Sequence, residues 1–444
     1  MVKTYKLHKF FGLSAGFVVL ILSITGFFLD HDNWNFLYTT TIKHYPSSIA
    51  NADKRLFTSY SIDPQNTKHI LAGSKRGLYK SSDGGKTFQK ILPIQINAIK
   101  RASDGRLFYA TSEGVYAQDK NKIELYKLRG KYINAMSIWG NTLVAVQDKT
   151  AIYMIDTDNK KITKSLRIHL PKEELQEDIK LSRFVRDLHY GRGLFDGDAS
   201  LYINDFGALI LTLLGLSGFI IWYYIHKKKA AKPSRKWIKY HANIVTLLAF
   251  IPVFILAVTG IFLDHGDGLA NFMKRTTIGH VILPPIYDTL EHDIWSVDYD
   301  GKALRIGNRY GVYKSDDLKE WSLESRGFAY SLSRDKNVLY VGGMGAPNRE
   351  YNGEWKVLPN TPHMFKNVVK ENGKNIFFSS HDTNLPLPVF QDVTLYSLLL
   401  SLHDGTFFAS WWVWINDYGA FAMLLLFITG FLRWRKKKIK TQKI

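Results

Sequence analysis

Cysteine is absent from all 444 residues of the chain. This absence excludes disulfide bonds, thiolate metal sites and cysteine-ligated iron–sulfur clusters. It also excludes the C-x-x-C-H attachment of c-type haem. Any redox cofactor must therefore be held by side chains other than cysteine.

Nucleotide-binding motifs are missing as well. No G-x-G-x-x-G follows a predicted strand and no P-loop is present, so the chain has no recognisable nucleotide site of its own. The long apolar segments carry almost no charge, although transporters couple to ions through charges within the membrane. A transporter is therefore the least favoured class. Electrons, if they flow, would come from quinol or a protein partner.

Four apolar segments clear or approach the roughly 20 residues that cross a bilayer. They lie at Phe10–Leu29, Phe206–Ile225, Ala242–Leu263 and Trp411–Leu432. The formal net charge of +20 does not indicate a nucleic-acid partner, because Lys and Arg are concentrated beside these segments. The positive-inside rule then places both termini and the middle loop in the cytoplasm.

These patterns predict a multi-pass membrane protein in contact with the lipid bilayer, whose large segments lie outside the cytoplasm, in the periplasm if the cell is Gram-negative. The predicted order is helix 1 with a cytoplasmic N-terminus at 1–30, a periplasmic β segment at 31–200, helix 2 at 201–226, a basic cytoplasmic loop at 227–240, helix 3 at 241–264, a second periplasmic β segment at 265–410, helix 4 at 411–434 and a basic cytoplasmic tail at 435–444.

The chain contains a tandem duplication. KLHKFFGLSAGFVVLILSITGFFLDH at Lys6–His31 returns as KYHANIVTLLAFIPVFILAVTGIFLDH at Lys239–His265. LHYG…YINDFGA at Leu188–Ala208 returns as LHDG…WINDYGA at Leu402–Ala420. Both copies enter the membrane in the same sense, which predicts a parallel repeat with a pseudo-two-fold axis along the membrane normal.

The outer segments are predicted to form short β-strands. Alternating runs such as ALRIGNRYGVYKS are broken by Gly, Asp and Asn at intervals of roughly ten residues. Ser81–Phe88 resembles the Asp-box turn of β-propeller blades, and a copy without its glycines stands at Ser315–Trp321. We expect an extracytoplasmic all-β domain. Each half could supply two or three blades to one β-propeller, or the halves could form two small separate β domains.

Three pairs of histidines recur at matching positions in the two copies. The pairs are His8 with His241 at the cytoplasmic entry of helices 1 and 3, His31 with His265 at the outer exit of the same helices, and His189 with His403 shortly before helices 2 and 4. Neutral imidazole binds haem iron without burying a further charge. The repetition therefore indicates haem sites between the halves, and the alternative is that these are interfacial residues that meet lipid headgroups.

The histidines must serve two faces of the membrane, because His31 comes 23 positions after His8, or roughly 34 Å of helix. His8 with His241 would form the cytoplasmic-side site. On the outer side the ligands could be His189 with His403, His31 with His265, or pairs within each half.

Glycines and aspartates repeat near the histidines. The glycines would let a flat macrocycle approach the backbone, or would serve ordinary helix packing; they are Gly12, Gly16, Gly26, Gly207, Gly215, Gly218, Gly260, Gly419 and Gly430. The aspartates Asp30, Asp264, Asp205 and Asp417 could orient histidines or pass protons. For Asp205 and Asp417 we expect helix N-capping.

The motifs LHKFFGL…TGFFLDH and LHYG…INDFGALILTLLGLSGFIIW, with their second copies, resemble the PepSY-associated transmembrane proteins, which include bacterial inner-membrane ferric-siderophore reductases. The resemblance covers the four helices and not the outer segments. It implies b-type haems held by helix histidines, with His8, His189, His241 and His403 as ligands and His31 and His265 next. It also implies electron transfer to a periplasmic ferric chelate.

Our first hypothesis is an inner-membrane b-type di-haem oxidoreductase. It would reduce a periplasmic ferric siderophore or other metal complex with electrons from quinol or a cytoplasmic donor, and its β domain would dock the acceptor. The alternative is a non-redox, membrane-anchored binding or assembly factor of propeller type. The sequence does not identify catalytic residues, the acceptor or the oligomeric state.

Overall fold

The structure is a computed structural model that describes residues 2–119, 122–227, 231–371 and 373–441. Parts of the predicted helix 1, basic loop and basic tail, including Lys228, Lys229 and Lys443, lie outside the described residues. The helices are α1 Val2–Ser14, α2 Gly16–Leu29, α3 Phe36–Thr39, α4 Leu181–His189, α5 Ala199–His226, α6 Ala231–His241, α7 Ile244–Leu248, α8 Phe250–Asp264, α9 Ala270–Arg275, α10 Leu395–His403 and α11 Val413–Thr441.

Among the described residues, two helices are long and apolar enough to cross a membrane, one at Ala199–His226 and the other at Ser410–Arg435. Two further pairs qualify only if each bent pair is counted as one span. The pair Thr4–Ser14 and Gly16–Leu29 bends by 58°, and the pair Pro233–Leu248 and Phe250–Asp264 bends by 73°. Helices 1 and 3 of the sequence prediction are therefore interrupted.

Local sequence explains both bends. In the first pair, Ser14 donates its hydroxyl to the carbonyl of Phe10 at 2.8 Å and Gly16 follows, and Gly/Ser pairs are a common cause of helix kinks. In the second pair, Pro252 lacks an N–H, and its ring would clash with the carbonyl four residues earlier, that of Leu248. The helix therefore ends at Leu248 and restarts with Pro252 in the first turn of α8, where no N–H is needed.

The segments between the helices form antiparallel sheets. Within the described residues, five sheets have four strands and three have two. The five larger sheets and one of the small ones are numbered I to VI in chain order. Sheet I contains β2 Phe57–Ile62, β3 Ile70–Ser74, β4 Gly77–Ser81 and β5 Gln89–Leu92; sheet II contains β6 Ile96–Arg101, β7 Leu107–Thr111, β8 Gly114–Asp119 and β9 Lys122–Lys127; sheet III contains β10 Ile133–Trp139, β11 Thr142–Gln147, β12 Ala151–Asp156 and β13 Lys161–Arg167. Sheet IV contains β16 Ser296–Tyr299, β17 Leu304–Gly307, β18 Gly311–Ser315 and β19 Ser322–Arg326; sheet V contains β20 Ala329–Asp335, β21 Val338–Gly343, β22 Arg349–Tyr351 and β23 Trp355–Val357; sheet VI contains β24 Asn367–Glu371 and β25 Lys374–Phe378.

The six sheets close into a ring. The first strand of each sheet lies beside the first strand of the next, and β24 of sheet VI returns to β2 of sheet I. At least one side-chain hydrogen bond to the backbone ties each junction, and these bonds follow one another around the ring. They are Thr58 Oγ1 to Ile96 O at 2.5 Å, Asn97 Nδ2 to Ile133 O at 2.7 Å, Asn134 Nδ2 to Ile294 O at 2.9 Å, Ser296 Oγ to Ala329 O at 3.0 Å, Ser331 Oγ to Phe365 O at 2.5 Å and Asn367 Nδ2 to Tyr60 O at 2.8 Å.

Alternating apolar residues on both faces of the strands fill the spaces between sheets. Leu78 packs with Ile96 between sheets I and II, Val144 packs with Leu304 between sheets III and IV, and Phe378 packs with Tyr60 to close the ring. The three sheets of each half therefore share one continuous domain, and the alternative of two separate β domains is wrong.

The two Asp-box copies form similar turns. In the first, Asp83 accepts from the Thr87 amide at 3.0 Å and from its hydroxyl at 2.6 Å. In the second, Asp317 accepts from the Glu320 amide at 2.9 Å, and Leu318 takes a φ of +67° where the first copy has glycine.

The two halves are linked by short cross-pairings next to the helices. Strand β1 Thr41–Ile42 of the first half pairs with β26 Val393–Thr394 of the second, and β14 Ile179–Lys180 pairs with β15 Thr277–Ile278. Accordingly, α10 packs on α2 and α4 packs on α8. The prediction of apolar helices combined with an all-β region is confirmed, and each half completes the other.

Candidate histidine sites in the helices

The first site lies at the end of the helix bundle that carries the basic segments. His8 on α1 and His241 on α6 have ring centroids 6.2 Å apart with planes at 89°. His8 Nδ1 is 2.8 Å from the hydroxyl of Thr429 on α11, and His241 Nδ1 is 2.8 Å from the hydroxyl of Ser217 on α5. Four helices from both halves therefore build this pair.

The second site lies at the end of the bundle that faces the β domain. His189 ends α4 and His403 ends α10, and their ring centroids are again 6.2 Å apart, with planes at 56°. His189 Nδ1 is 3.0 Å from the hydroxyl of Thr259 on α8, and His403 Nδ1 is 2.9 Å from the hydroxyl of Thr25 on α2. Each hydroxyl comes from the half opposite to its histidine.

The hydroxyl groups fix the tautomer of all four rings. Each hydroxyl already donates its single proton to the carbonyl four residues earlier on its own helix, at 2.6–2.7 Å. It can therefore only accept from the imidazole, so Nδ1 of each histidine carries the ring proton. Nε2 then has a free lone pair, which is the form in which imidazole binds a metal.

A glycine follows each hydroxyl residue and leaves room for the ring. A Cβ added at Gly26 would lie 3.3 Å from His403 Cε1, and one at Gly260 would lie 3.5 Å from His189 Cε1. At Gly218 and Gly430 the corresponding distances to His241 and His8 are both 3.7 Å. Ser/Thr-Gly is thus a repeated unit that bonds and accommodates one imidazole.

The other glycines serve helix packing. A Cβ at Gly16 would meet the Phe219 ring at 2.8 Å, and one at Gly215 would meet Leu20 at 2.7 Å. Gly207 and Gly419 similarly face apolar side chains of neighbouring helices. The glycines that follow a hydroxyl residue therefore make room for a ring, whereas Gly16, Gly207, Gly215 and Gly419 serve helix packing.

Paired asparagines position the histidines at the β-domain end. Asn204 Nδ2 donates to the His189 carbonyl at 3.0 Å, and Asn416 Nδ2 donates to the His403 carbonyl at 2.9 Å. Asn204 precedes Ser217 on α5 by 13 residues, and Asn416 precedes Thr429 on α11 by the same number. At 1.5 Å per residue, the two histidine pairs are separated by about 20 Å along these helices.

His31 and His265 do not pair with each other in the structure. His31 Nε2 is 3.5 Å from Asp205, and His265 Nε2 is 2.6 Å from Asp417. Asp205 and Asp417 therefore do not cap α5 and α11 as expected, because each lies inside its helix and contacts a histidine of the preceding span. One carboxylate oxygen of each is buried without a hydrogen-bond partner within the described chain.

The remaining repeated aspartates are close to the asparagines. Asn204 Nδ2 lies 3.5 Å from Asp30. A Trp ring also packs against His31 and against His265. The ring centroids of Trp34 and His31 are 4.2 Å apart, and those of Trp414 and His265 are 4.9 Å apart.

The donor set suits a metal that brings its own equatorial ligands. Within the described residues, no group of three or more His, Asp or Glu side chains is placed to hold a bare ion. Each site instead offers two imidazoles. An imidazole nitrogen binds a transition metal at about 2.0–2.1 Å, so two such bonds in line place the ring centroids about 6 Å apart. Both pairs have that separation, and a haem iron accepts two axial histidines.

Sequence reasoning missed the four hydroxyl residues. Their signal was present, since Thr25-Gly26, Ser217-Gly218, Thr259-Gly260 and Thr429-Gly430 occur once in each predicted span. The duplication drew attention to the histidines and glycines, whereas a hydroxyl in an apolar helix is usually satisfied by its own backbone.

Three solved structures show limited similarity to the chain. The extracellular domain of a putative hybrid two-component system from B. thetaiotaomicron is 11% identical, with 74% of this chain covered, 31% of that chain covered and a TM-score of 0.34. An ancestral GH74 enzyme is 10% identical, with coverages of 71% and 33% and a TM-score of 0.34. The computationally designed Ika8 protein is 9% identical, with coverages of 72% and 66% and a TM-score of 0.33.

TM-scores this low support no conclusion about fold or function, and the chain spans about a third of the first two proteins. No curated protein matches the sequence. The family model for the PepSY-associated TM region, in contrast, matches residues 5–437, which is nearly the whole chain. The chain belongs to the PepSY-associated TM family of membrane proteins.

Proposed function

We propose that the chain is a b-type di-haem electron-transfer protein of a bacterial inner membrane. The observation that supports this proposal best is the geometry of the two histidine pairs. In each pair the rings are 6.2 Å apart, and Nδ1 of every ring is hydrogen bonded to a hydroxyl, so Nε2 is left free. His8 with His241, and His189 with His403, would each hold one haem b.

The chain's own residues prepare these sites. Thr25, Thr259, Thr429 and Ser217 hold the imidazoles in one tautomer and one orientation, which raises the basicity of the free nitrogen. Asn204 and Asn416 fix the backbone of the outer ligands. Bound haem would supply reversible one-electron transfer. The two sites would then connect the two faces of the membrane over about 20 Å.

His31 and His265 are not the ligands in this proposal. Each is engaged by a carboxylate on the next long helix, at the end of the bundle where the outer pair lies. They would shape the polar boundary between the bundle and the β domain.

We further propose that the ring of six sheets is a six-bladed β-propeller, and that the two bent helix pairs and the two long helices make four membrane spans. The positive-inside rule would put both termini and the basic segment in the cytoplasm. The β domain would then lie in the periplasm and dock an acceptor such as a ferric siderophore or another metal complex. Electrons would enter from quinol or a cytoplasmic donor.

A spectrum tests the proposal directly. Full-length protein purified in detergent from haem-replete cells should show a sharp b-type α band after reduction and about two haems per chain by pyridine haemochrome assay. A colourless preparation that is folded would reject the haem proposal and favour the membrane-anchored binding factor.

Ligand assignment uses one substitution per site. H8A should lose the haem at the basic end and keep the other, whereas H403A should do the reverse. The matched control is H226A, because His226 lies in the same helix bundle, at the end of α5, and stacks on Trp222 at 5.5 Å but belongs to neither pair. Two retained haems in H8A would remove His8 from the ligand set.

A further inference from the structure

A cluster of cations and aromatic rings lies where the ring of sheets meets the helix bundle. We call it the basic basin; it comprises Lys75, Lys149, Arg192, Tyr132, Trp295 and Tyr330. All six residues keep part of their surface exposed.

Distant parts of the chain supply the basin. Lys75 lies in the turn between β3 and β4, and Lys149 lies in the turn between β11 and β12. Arg192 follows α4, and Trp295 precedes β16. These turns belong to one end of the sheet ring, because alternate turns of an antiparallel meander lie at the same end. That end faces the bundle.

Cations meet aromatic rings throughout the basin. Lys149 Nζ is 3.9 Å from the centre of a Trp295 ring, and the guanidinium of Arg192 is 5.4 Å from it. Lys75 Nζ donates to the Tyr132 hydroxyl at 2.5 Å and lies 5.1 Å from the centre of that ring. Such contacts hold a cation in place without neutralising it.

One carboxylate, Asp32, faces all three cations of the basin: burial acts to raise its pKa, and Arg192, Lys75 and Lys149 together lower it. Arg192 contacts Asp32 at 3.6 Å, and Asp32 itself is 49% exposed. Burial and the nearby Arg192 lower the pKa of Lys149 to about 7, even though Asp32, Asp293 and Asp148 act in the opposite direction. Burial and Lys75 likewise lower the pKa of the neighbouring Lys366 to about 7. Asp293 is itself paired with Arg309 at 2.9 Å. Lys75, Lys149 and Arg192 therefore face two other carboxylates, Asp32 and Asp148, and positive charge is in excess when Lys149 is protonated.

The basin adjoins the outer histidine pair. Arg192 is three residues beyond His189, and the Tyr190 ring lies 5.8 Å from the His189 ring. A molecule in the basin would thus lie beside the site that we assign to the outer haem.

We propose that the basic basin binds an anionic metal chelate whose donor groups are aromatic, of the catecholate class. Lysine and arginine side chains would neutralise the chelate's negative charge, and Trp295 and Tyr330 would stack on its rings. The role of this ligand as electron acceptor rests on the proposed function, whereas its binding does not.

Redox-inert gallium complexes test binding without electron transfer. Full-length protein in detergent is titrated with the trianionic gallium(III) complex of a hexadentate tris-catecholate and with the neutral complex of a hexadentate tris-hydroxamate, by calorimetry. We expect at least about tenfold tighter binding of the trianion, and a decline in that preference as salt rises. Equal affinity for both complexes, or a preference that salt does not change, would overturn the proposal.

Two substitutions locate the site. K149Q and R192Q should each weaken the trianion about tenfold and leave the neutral complex unchanged. K319Q is the control, because Lys319 is exposed in the β18–β19 turn at the opposite end of the ring. If the basin variants bind the trianion normally but lose the outer haem, the cations hold haem propionates and the proposal fails.

The two proposals fail separately. A colourless protein that still binds the trianion would reject the haem assignment and keep the basin site. A haem-loaded protein that does not bind the trianion would do the opposite. If a variant does not fold, the salt dependence of trianion binding to the unmodified protein still tests the basin proposal.

Discussion

Replacing Thr25 by valine removes one hydroxyl from the outer histidine site and preserves the shape of the side chain. In the structure this hydroxyl accepts from His403 Nδ1 at 2.9 Å, and the Thr25 side chain is buried. The substitution leaves a buried imidazole N–H without its partner, which costs about 1–3 kcal/mol. At 1.4 kcal/mol per factor of ten, that range is about 5-fold to 150-fold in ligand affinity. It agrees with the roughly 10- to 100-fold effects of groups that support metal ligands.

The assay measures the affinity and the reduction potential of each of the two proposed haems in the detergent-purified protein. T25V should weaken the outer haem and leave the haem at the basic end unchanged. T429V should do the reverse, because Thr429 supports His8. The matched control is T212V, since Thr212 is bonded to Ser23 within the same bundle and not to a histidine.

This reasoning would be refuted by either of two results. One is a T25V protein with unchanged affinity and potential at both haems. The other is an equal effect of T25V on both haems, since the two sites lie about 20 Å apart along α5 and α11. If T25V but not T212V abolishes expression of the protein, Thr25 has a role in folding. The reduction potentials of the T25V protein that remains would then show whether Thr25 also supports the outer haem.

Three further predictions concern the glycine units, the ring closure and the basin. G26A should weaken the outer haem, because the new Cβ would lie 3.3 Å from His403 Cε1, closer than the 3.5–4.0 Å optimum. N367L should lower the free energy of unfolding of the β domain by about 2 kcal/mol, measured by thermal denaturation, because Asn367 bonds both the amide and the carbonyl of Tyr60. Trianion binding should strengthen as the pH falls from about 8.5 to about 6.5, because an amine with a pKa of about 7, such as that of Lys149, is neutral above that value and charged below it.

Each of these has a control and a contrary outcome. G12A should be neutral, since its Cβ would have an ordinary 3.7 Å contact with Leu426, and haem loss equal to that of G26A would contradict the steric argument. N159L, in an exposed turn, should barely change unfolding, and an unchanged midpoint in N367L would show that the ring closes without this bond. An affinity that rises with pH would exclude Lys149 as a contributor.

Much of the fold could be predicted because the duplication supplies its own internal comparison. His8 and His241, or His189 and His403, stand out only because each recurs beside a similar apolar segment. Short alternating strands with Gly and Asp turns were enough to indicate an all-β region, since that pattern depends on local chemistry.

Other features depend on contacts between residues far apart in the chain. Apolar length alone does not show that Pro252 would clash with the Leu248 carbonyl and divide a predicted helix. The closure of the ring by Asn367 and Tyr60 joins residues 307 positions apart, which no local pattern reports. Asp205 stands near the start of a predicted apolar helix, where an aspartate is expected to be an N-cap. Only the packing of α5 against α2 brings it to His31.

The cross-pairing of strands and the packing of helices between the two halves have a consequence for how the protein would bind a cofactor. Each histidine pair takes one imidazole from each repeat, so a single repeat cannot complete either pair. Any group held between the imidazoles would act as a non-covalent cross-link between the repeats, and its binding energy would add to the folding free energy. With a haem bound as proposed, cofactor supply and assembly would be a single coupled equilibrium, and the protein would be least stable in cells that cannot provide the cofactor.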